Sequence, residues 1–166
     1  HPRRALLRYG WCRSAEAAAG YGALFAAAPQ MTSTPYNLAV CYERLGRWAE
    51  AATAFTKALQ REPSRVDARL GLGISLMHQE KAAPALDNFE KILASDPEQE
   101  TALFGKAAAL QMLSKLDEAT AIYERMLGKN PRSEECATNM VVIAMTRKDD
   151  AMLRRWAGKV LEIRPN

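Results

Sequence analysis

Histidine is nearly missing from this chain, which has only His1 and His78 among its 166 residues. Proton transfer near neutral pH and ligation of borderline metals both depend heavily on imidazole, and neither histidine has a second ligand at helical spacing. No metal site and no cofactor are therefore expected. Cysteine is also scarce: Cys12, Cys41 and Cys136 form no CxxC pair and no even-numbered disulfide framework, so free buried thiols are the default. Three unpaired cysteines favour a reducing, cytoplasmic compartment. A nucleophilic Cys or Ser would need a base beside it, and His78 is the single internal imidazole. There is no glycine-rich phosphate loop. The carboxylate pairs Asp117-Glu118, Glu134-Glu135 and Asp149-Asp150 fall at expected helix starts, where they complement the helix dipole without acid–base chemistry. No enzyme is expected within these residues.

Long apolar runs are lacking too. None approaches the roughly 20 residues that cross a bilayer, and the alanine-rich stretch near 15–28 is interrupted by Glu16, Gly20 and Gly22. It reads as close helix packing rather than as a signal peptide, and membrane insertion is not expected. Charge of one sign is not dominant: the net charge is +4, concentrated in residues 1–65. Arg3, Arg4, Arg8 and Arg13 read as a solvated surface, and no basic strip interleaved with aromatics supports nucleic-acid binding. Alternation of β-branched residues is missing as well, which argues against a sheet.

What the sequence does contain is a period. Pro29, Pro63, Pro97, Pro131 and Pro165 stand 34 residues apart, with no gap in register. A period of this length matches a helix–turn–helix unit, with the proline ending the second helix and turning the chain into the next unit. The units run 32–65, 66–99, 100–133 and 134–166, and 1–31 is a partial unit. In the clearest unit, Leu38, Ala39 and Tyr42, then Ala51, Phe55 and Ala58, recur at helical spacings and give each helix a buried stripe. Gly46 lies between the halves, where positive φ lets the chain reverse. Pro35 reads as the first helical position after the candidate caps Thr32, Ser33 and Thr34, and Pro84 as a first-turn proline.

This pattern resembles the tetratricopeptide repeat family, whose first helix carries a large residue, Leu, Gly or Ala, and Tyr, and whose second carries Ala, an aromatic, Ala and Pro. The next units keep those columns as Leu72, Gly73, Leu76, Ala85, Phe89, Ile92 and Pro97, then Ala107, Leu110, Ala119, Tyr123, Met126 and Pro131. The partial unit keeps only Ala17, Tyr21, Leu24 and Pro29. The resemblance implies an all-α, right-handed superhelical solenoid of antiparallel helix pairs, with four full repeats plus one partial N-terminal repeat in a single domain, 1–166. The last unit departs most: Val141 and Leu153 are large where the family is small, and Ala144 and Ala157 are small where it is aromatic. The volume swap predicts a shifted helix contact there, partly filled by Trp156. Met152, Trp156 and Val160 are expected to lie uncovered at the C-terminal end, as in a fragment of a longer protein.

In this family the first helices line a concave face. The resemblance implies a partner-binding groove formed by Tyr36, Asn37, Val40, Arg44, Leu70, Ile74, Met77, Phe104, Met112, Asn139, Val142 and Met145, with Glu43, Asp67 and Glu135 at its margins. The arrangement that holds a chaperone's C-terminal carboxylate is not matched, because the asparagine column reads Asn37, Gly71, Gly105, Asn139. Glycine there implies close approach of a ligand or a helix. An apolar stripe with several methionines implies an adaptable scaffold or adaptor for an apolar or amphipathic protein segment. The plainer reading is that these residues pack between first helices or under another segment of the chain. Two further alternatives are the substrate-recruiting arm of a larger enzyme, such as a transferase, and a homo-oligomer assembled through the solenoid ends.

Overall fold

In the computed structural model, which describes residues 15–23, 26–27 and 33–164, helices follow the proline period without exception among the described residues. They are α1 (15–23), α2 (Ser33–Arg44), α3 (Trp48–Arg61), α4 (Val66–His78), α5 (Ala82–Ser95), α6 (Glu100–Met112), α7 (Leu116–Lys129), α8 (Glu134–Arg147) and α9 (Asp150–Ile163). No strand occurs among the described residues. Pro63, Pro97 and Pro131 fall just beyond α3, α5 and α7, where a missing N–H and a fixed φ stop the helix. Cys12, Leu24, Pro29, Thr32, Pro165 and the four arginines Arg3, Arg4, Arg8 and Arg13 lie outside the described residues.

Both internal prolines sit in first turns, where helical N–H groups have no partner to lose. Pro84 is the third residue of α5. Pro35 is the third residue of α2 rather than its first, because the helix begins at Ser33. The turn between the two helices of a unit needs one left-handed residue. Gly46 supplies it with φ 69°, and the same column recurs as Glu80 (59°), Ser114 (61°) and Lys148 (54°). Among the described residues, side chains cap three helix starts: Gln99 accepts from the Ala102 N–H at 2.5 Å, Ser133 from Cys136 at 3.4 Å and Asp149 from Met152 at 2.9 Å. Asp117, Glu118, Glu134, Glu135 and Asp150 occupy first turns, as a dipole-complementing role requires.

The chain divides into two compact units, His1–Asn88 and Phe89–Asn166. In the first, α3 packs against α2 and α4, and α2 also meets α4. Their core joins Ala39, Ala51, Ala54, Phe55, Ala58 and Ala68, with Tyr36, Leu38, Val40, Tyr42, Leu59 and Leu72 packed around it. Alanine brings the backbones close and the Phe55 ring, 1% exposed, fills the remaining space. Burying such a ring is worth about 2–3 kcal/mol. It lies directly over Gly71, where a Cβ would stand 2.3 Å from the ring edge. The second unit repeats this contact with Phe89 over Gly105, at 2.5 Å. These two glycines therefore serve helix-to-helix approach.

In the second unit α7 packs against α6 and α8, α9 packs on α8, and α6 meets α8. Tyr123, Leu110, Met140, Ile143 and Cys136 are its largest fully buried side chains besides Phe89 and Ile92. The volume swap in the last repeat takes a specific form: Ala144 is fully buried, and Trp156 is the buried residue of α9. Trp156 therefore lies against the unit instead of facing outward, beside Leu127, Gly128 and Pro131. Met152 and Val160 are half-buried, and the exposed large apolar side chain of α9 is Leu161.

Candidate functional site

Because first helices meet directly in each unit, α2 with α4 and α6 with α8, each pair presents one continuous face. The expected groove residues occupy it in two different ways. In the first unit Tyr36, Val40, Leu70, Ile74 and Met77 are half-buried, Tyr36 and Val40 being packed against the core, while Arg44 is exposed and Asn37 half-buried. In the second unit Phe104 is half-buried, but Met112, Val142 and Met145 are 46%, 42% and 62% exposed. Spacing puts Val142 and Met145 on one side of α8, and Met112 ends the neighbouring α6. They are three of the six exposed large apolar side chains among the described residues. Asn139 is half-buried and influences the Tyr123 hydroxyl, which is enclosed and has no hydrogen bond of normal geometry.

Polar groups border the first unit's face at both ends. At one end the Arg65 guanidinium lies 3.9 Å from the centre of the Tyr36 ring. Its Nε donates to Asp67 Oδ1 at 2.8 Å and its terminal nitrogen to Oδ2 at 3.3 Å. The Ala68 N–H also donates to Asp67, at 2.7 Å. Burial pushes the Asp67 carboxyl up, but the Arg65 and Ala68 bonds outweigh it and hold the carboxyl below its ordinary range. Tyr36 is pushed up, first by burial and then by Asp67. At the other end the His78 imidazole stacks on Trp48, with ring centres 3.8 Å apart and planes 7° from parallel. Gln79 ties the same corner by donating to the Trp48 carbonyl at 3.1 Å. Burial raises the Glu43 carboxyl, with His78 and Arg44 acting in the opposite direction.

Helical spacing picks out the apolar stripe but not Arg65 or Trp48. Arg65 precedes α4 at the cap position and so belongs to no helical face, and Trp48 opens a second helix. The available signal was Arg-x-Asp across a helix start, a spacing that lets a guanidinium fold back onto the carboxylate. Cys41 and Cys136 are free and buried, and burial pushes both thiols up, away from the reactive thiolate. No group of three or more His, Cys, Asp or Glu residues suited to a metal ion occurs among the described residues, and no described helix is long and apolar enough to cross a membrane.

Antiparallel helix pairs in a fixed 34-residue register, with first helices side by side, define a helical-repeat solenoid. The chain belongs to the tetratricopeptide repeat family, whose model matches residues 3–66, 36–100 and 70–134. Comparison with curated protein sequences gives no match. Among solved structures, the chain is similar to MamA (41-end) from Desulfovibrio magneticus RS-1, with a TM-score of 0.83, 18% identity and coverage of 96% of this chain and 92% of that one. It is also similar to YrrB, described as a TPR protein with an unusual peptide-binding site, with a TM-score of 0.79, 20% identity and coverage of 93% and 79%. A tetratricopeptide repeat protein from Parabacteroides merdae ATCC 43184 gives 0.78, 20%, and coverage of 90% and 59%. At these identities the likeness establishes the all-α repeat fold.

Proposed function

We propose that this chain is a non-enzymatic scaffold or adaptor that holds an apolar or amphipathic protein segment on the face of its first helices. The observation that carries this reading is the exposed trio Met112, Val142 and Met145 on the α6–α8 pair. Three large apolar side chains left open on adjoining helices cost hydration free energy that a partner's apolar side chains would recover. Covering them would contribute on the order of 4–6 kcal/mol, from which lost rigid-body freedom subtracts a large part. The expected affinity is accordingly moderate. Methionine's unbranched side chain adapts to different ligand shapes, and the peptide site of YrrB, a protein of similar fold, supports the same use here. An amphipathic helix fits such a stripe because its own apolar positions recur every three or four residues.

The test compares partner capture from a source lysate by the parent protein, by Val142→Glu/Met145→Glu, and by Ala121→Glu on the exposed part of α7. All three positions are exposed, so the fold should survive each change. Capture lost in the first variant and kept in the second is the expected result. Equal capture by all three proteins would reject the groove as the binding surface.

A further inference from the structure

The first unit already contains an arginine bound to its own groove. The Arg65 guanidinium lies over the Tyr36 ring, 3.9 Å from its centre, and forks onto both Asp67 oxygens. Two periods later in sequence, the second unit repeats the receptor without the cation: Phe104 stands in the column of Tyr36, Glu135 in that of Asp67, and Ser133 in that of Arg65. The aromatic rings are held alike. Tyr36 meets Phe55 edge-on with centres 5.9 Å apart and planes at 60°; Phe104 meets Tyr123 at 5.8 Å and 64°. Where a guanidinium lies in the first unit, the second has an open recess of about 310 Å³ lined by Glu100, Thr101, Phe104, Met126, Ser133 and Glu135.

Among the described residues the two carboxylates have no cation of their own. Neither Glu100 nor Glu135 forms an ion pair among the described residues, and Glu135 accepts a hydrogen bond from the Ser133 hydroxyl at 3.5 Å. Both sit in first turns, and the helix dipole accounts for acidic residues there. It does not account for an aromatic side chain lining the same recess, nor for an arginine occupying the matching place in the first unit. A planar guanidinium satisfies the whole set, since it stacks on a ring and forks to a carboxylate, whereas an ammonium does only part of this.

We propose that this recess takes an arginine side chain of the bound segment, its guanidinium laid on Phe104 and forked onto Glu135, with Glu100 as a second counter-charge. The inference rests on the groove reading above and narrows the partner to an apolar segment that carries an arginine.

The probe is N-acetyl-arginine amide, with N-acetyl-citrulline amide as its neutral isostere, followed by NMR at the Phe104 ring and the Met126 methyl. The arginine compound should give a saturable shift in the millimolar range, and the citrulline compound should bind about tenfold or more weakly. Ser133→Arg supplies the guanidinium internally, as Arg65 does, and should abolish the shift. Ser133→Ala loses the same helix cap but leaves the recess open and should keep it. Glu135→Gln, which leaves the cap intact, should weaken binding about tenfold, and Arg65→Ser should create a second saturable site reported by Tyr36. No saturable shift at Phe104, equal shifts from both compounds, or an unchanged shift in Ser133→Arg would overturn the proposal. The probe needs no partner protein, so the two readings fail separately. Groove-dependent capture without probe binding rejects the recess alone; probe binding without groove-dependent capture rejects the groove reading and the assignment of the arginine to a bound segment.

Discussion

Lys148, Ser114 and Glu80 each adopt the left-handed conformation that Gly46 adopts in the first full repeat, with φ of 54°, 61° and 59° against 69°. For a residue with a Cβ this conformation costs about 1–2 kcal/mol, partly offset because glycine has more entropy to lose on folding. Lys148→Gly and Ser114→Gly should each stabilise the fold by about 0.5–1 kcal/mol, seen as a higher urea midpoint with an unchanged slope. Gly46→Ala should cost a similar amount, since open space surrounds that position and only φ is at stake. Gly71→Ala tests a different property of glycine. Its Cβ would stand 2.3 Å from the Phe55 ring, which is 1% exposed and has nowhere to move. Overpacking of about 1–3 kcal/mol outweighs the gain of up to about 1 kcal/mol in helix propensity. A net loss is therefore expected, and Phe55→Leu in the same chain should return part of it. An additive double mutant would rule out this contact as the cause.

At the scale of the helix, proline spacing and the alanine–aromatic stripes were enough to place every described second-helix end and the core columns of α3 and α7. Those features depend on one-dimensional periodicity, which sequence carries directly. The last repeat was legible only as a conflict. Ala144 and Ala157 announced missing volume that Trp156 could fill, yet the uncovered end of the chain pointed Trp156 outward, and periodicity alone does not choose between the two; it is the buried residue of α9. Asp67 and Glu43 were expected at the groove's margins, but the contact of Arg65 with Tyr36 was hidden for a related reason: it forms through a turn between repeats, whose geometry no helical period encodes. Trp156→Ala should cost about 3–5 kcal/mol and loosen α9 first. Hydrogen exchange should speed up in Asp150–Ile163 by a larger factor than in α3. Uniform acceleration through both helices would show that Trp156 holds more than its own element.

For the whole chain, the buried ionisable groups with raised pKa values set the alkaline limit of stability. Burial is the main cause for Cys41, Cys136 and Tyr123; Arg44 opposes it at Cys41, Glu135 and Glu100 add to it at Cys136, and Cys136 adds to it at Tyr123. Each is bound to its proton more tightly in the folded state than in the unfolded one, where thiols titrate near about 8.5 and phenols near about 10. The stabilisation is therefore fully present below about pH 8.5 and is lost above it as the unfolded chain releases these protons first. The acid side offers little to compare: Asp67 and Glu98 are held low by cationic partners but are exposed, so screening leaves them a small part. Stability should be flat from pH 7 to about 8.5, then fall in two steps, the thiols first and the phenol above about pH 10. Tyr123→Phe removes the more deeply buried contributor to the second step, leaving the raised phenol of half-buried Tyr36. The Tyr123 hydroxyl is enclosed without a normal hydrogen bond, and Phe55 and Phe89 fill the same column in the preceding repeats. The substitution should therefore shift neutral-pH stability by less than about 1 kcal/mol while flattening the limb above about pH 10. Urea melts from neutral to alkaline pH measure both quantities. An alkaline slope identical in wild type, Cys136→Ala and Tyr123→Phe would mean that exposed lysines and tyrosines, rather than the packed core, govern unfolding by base.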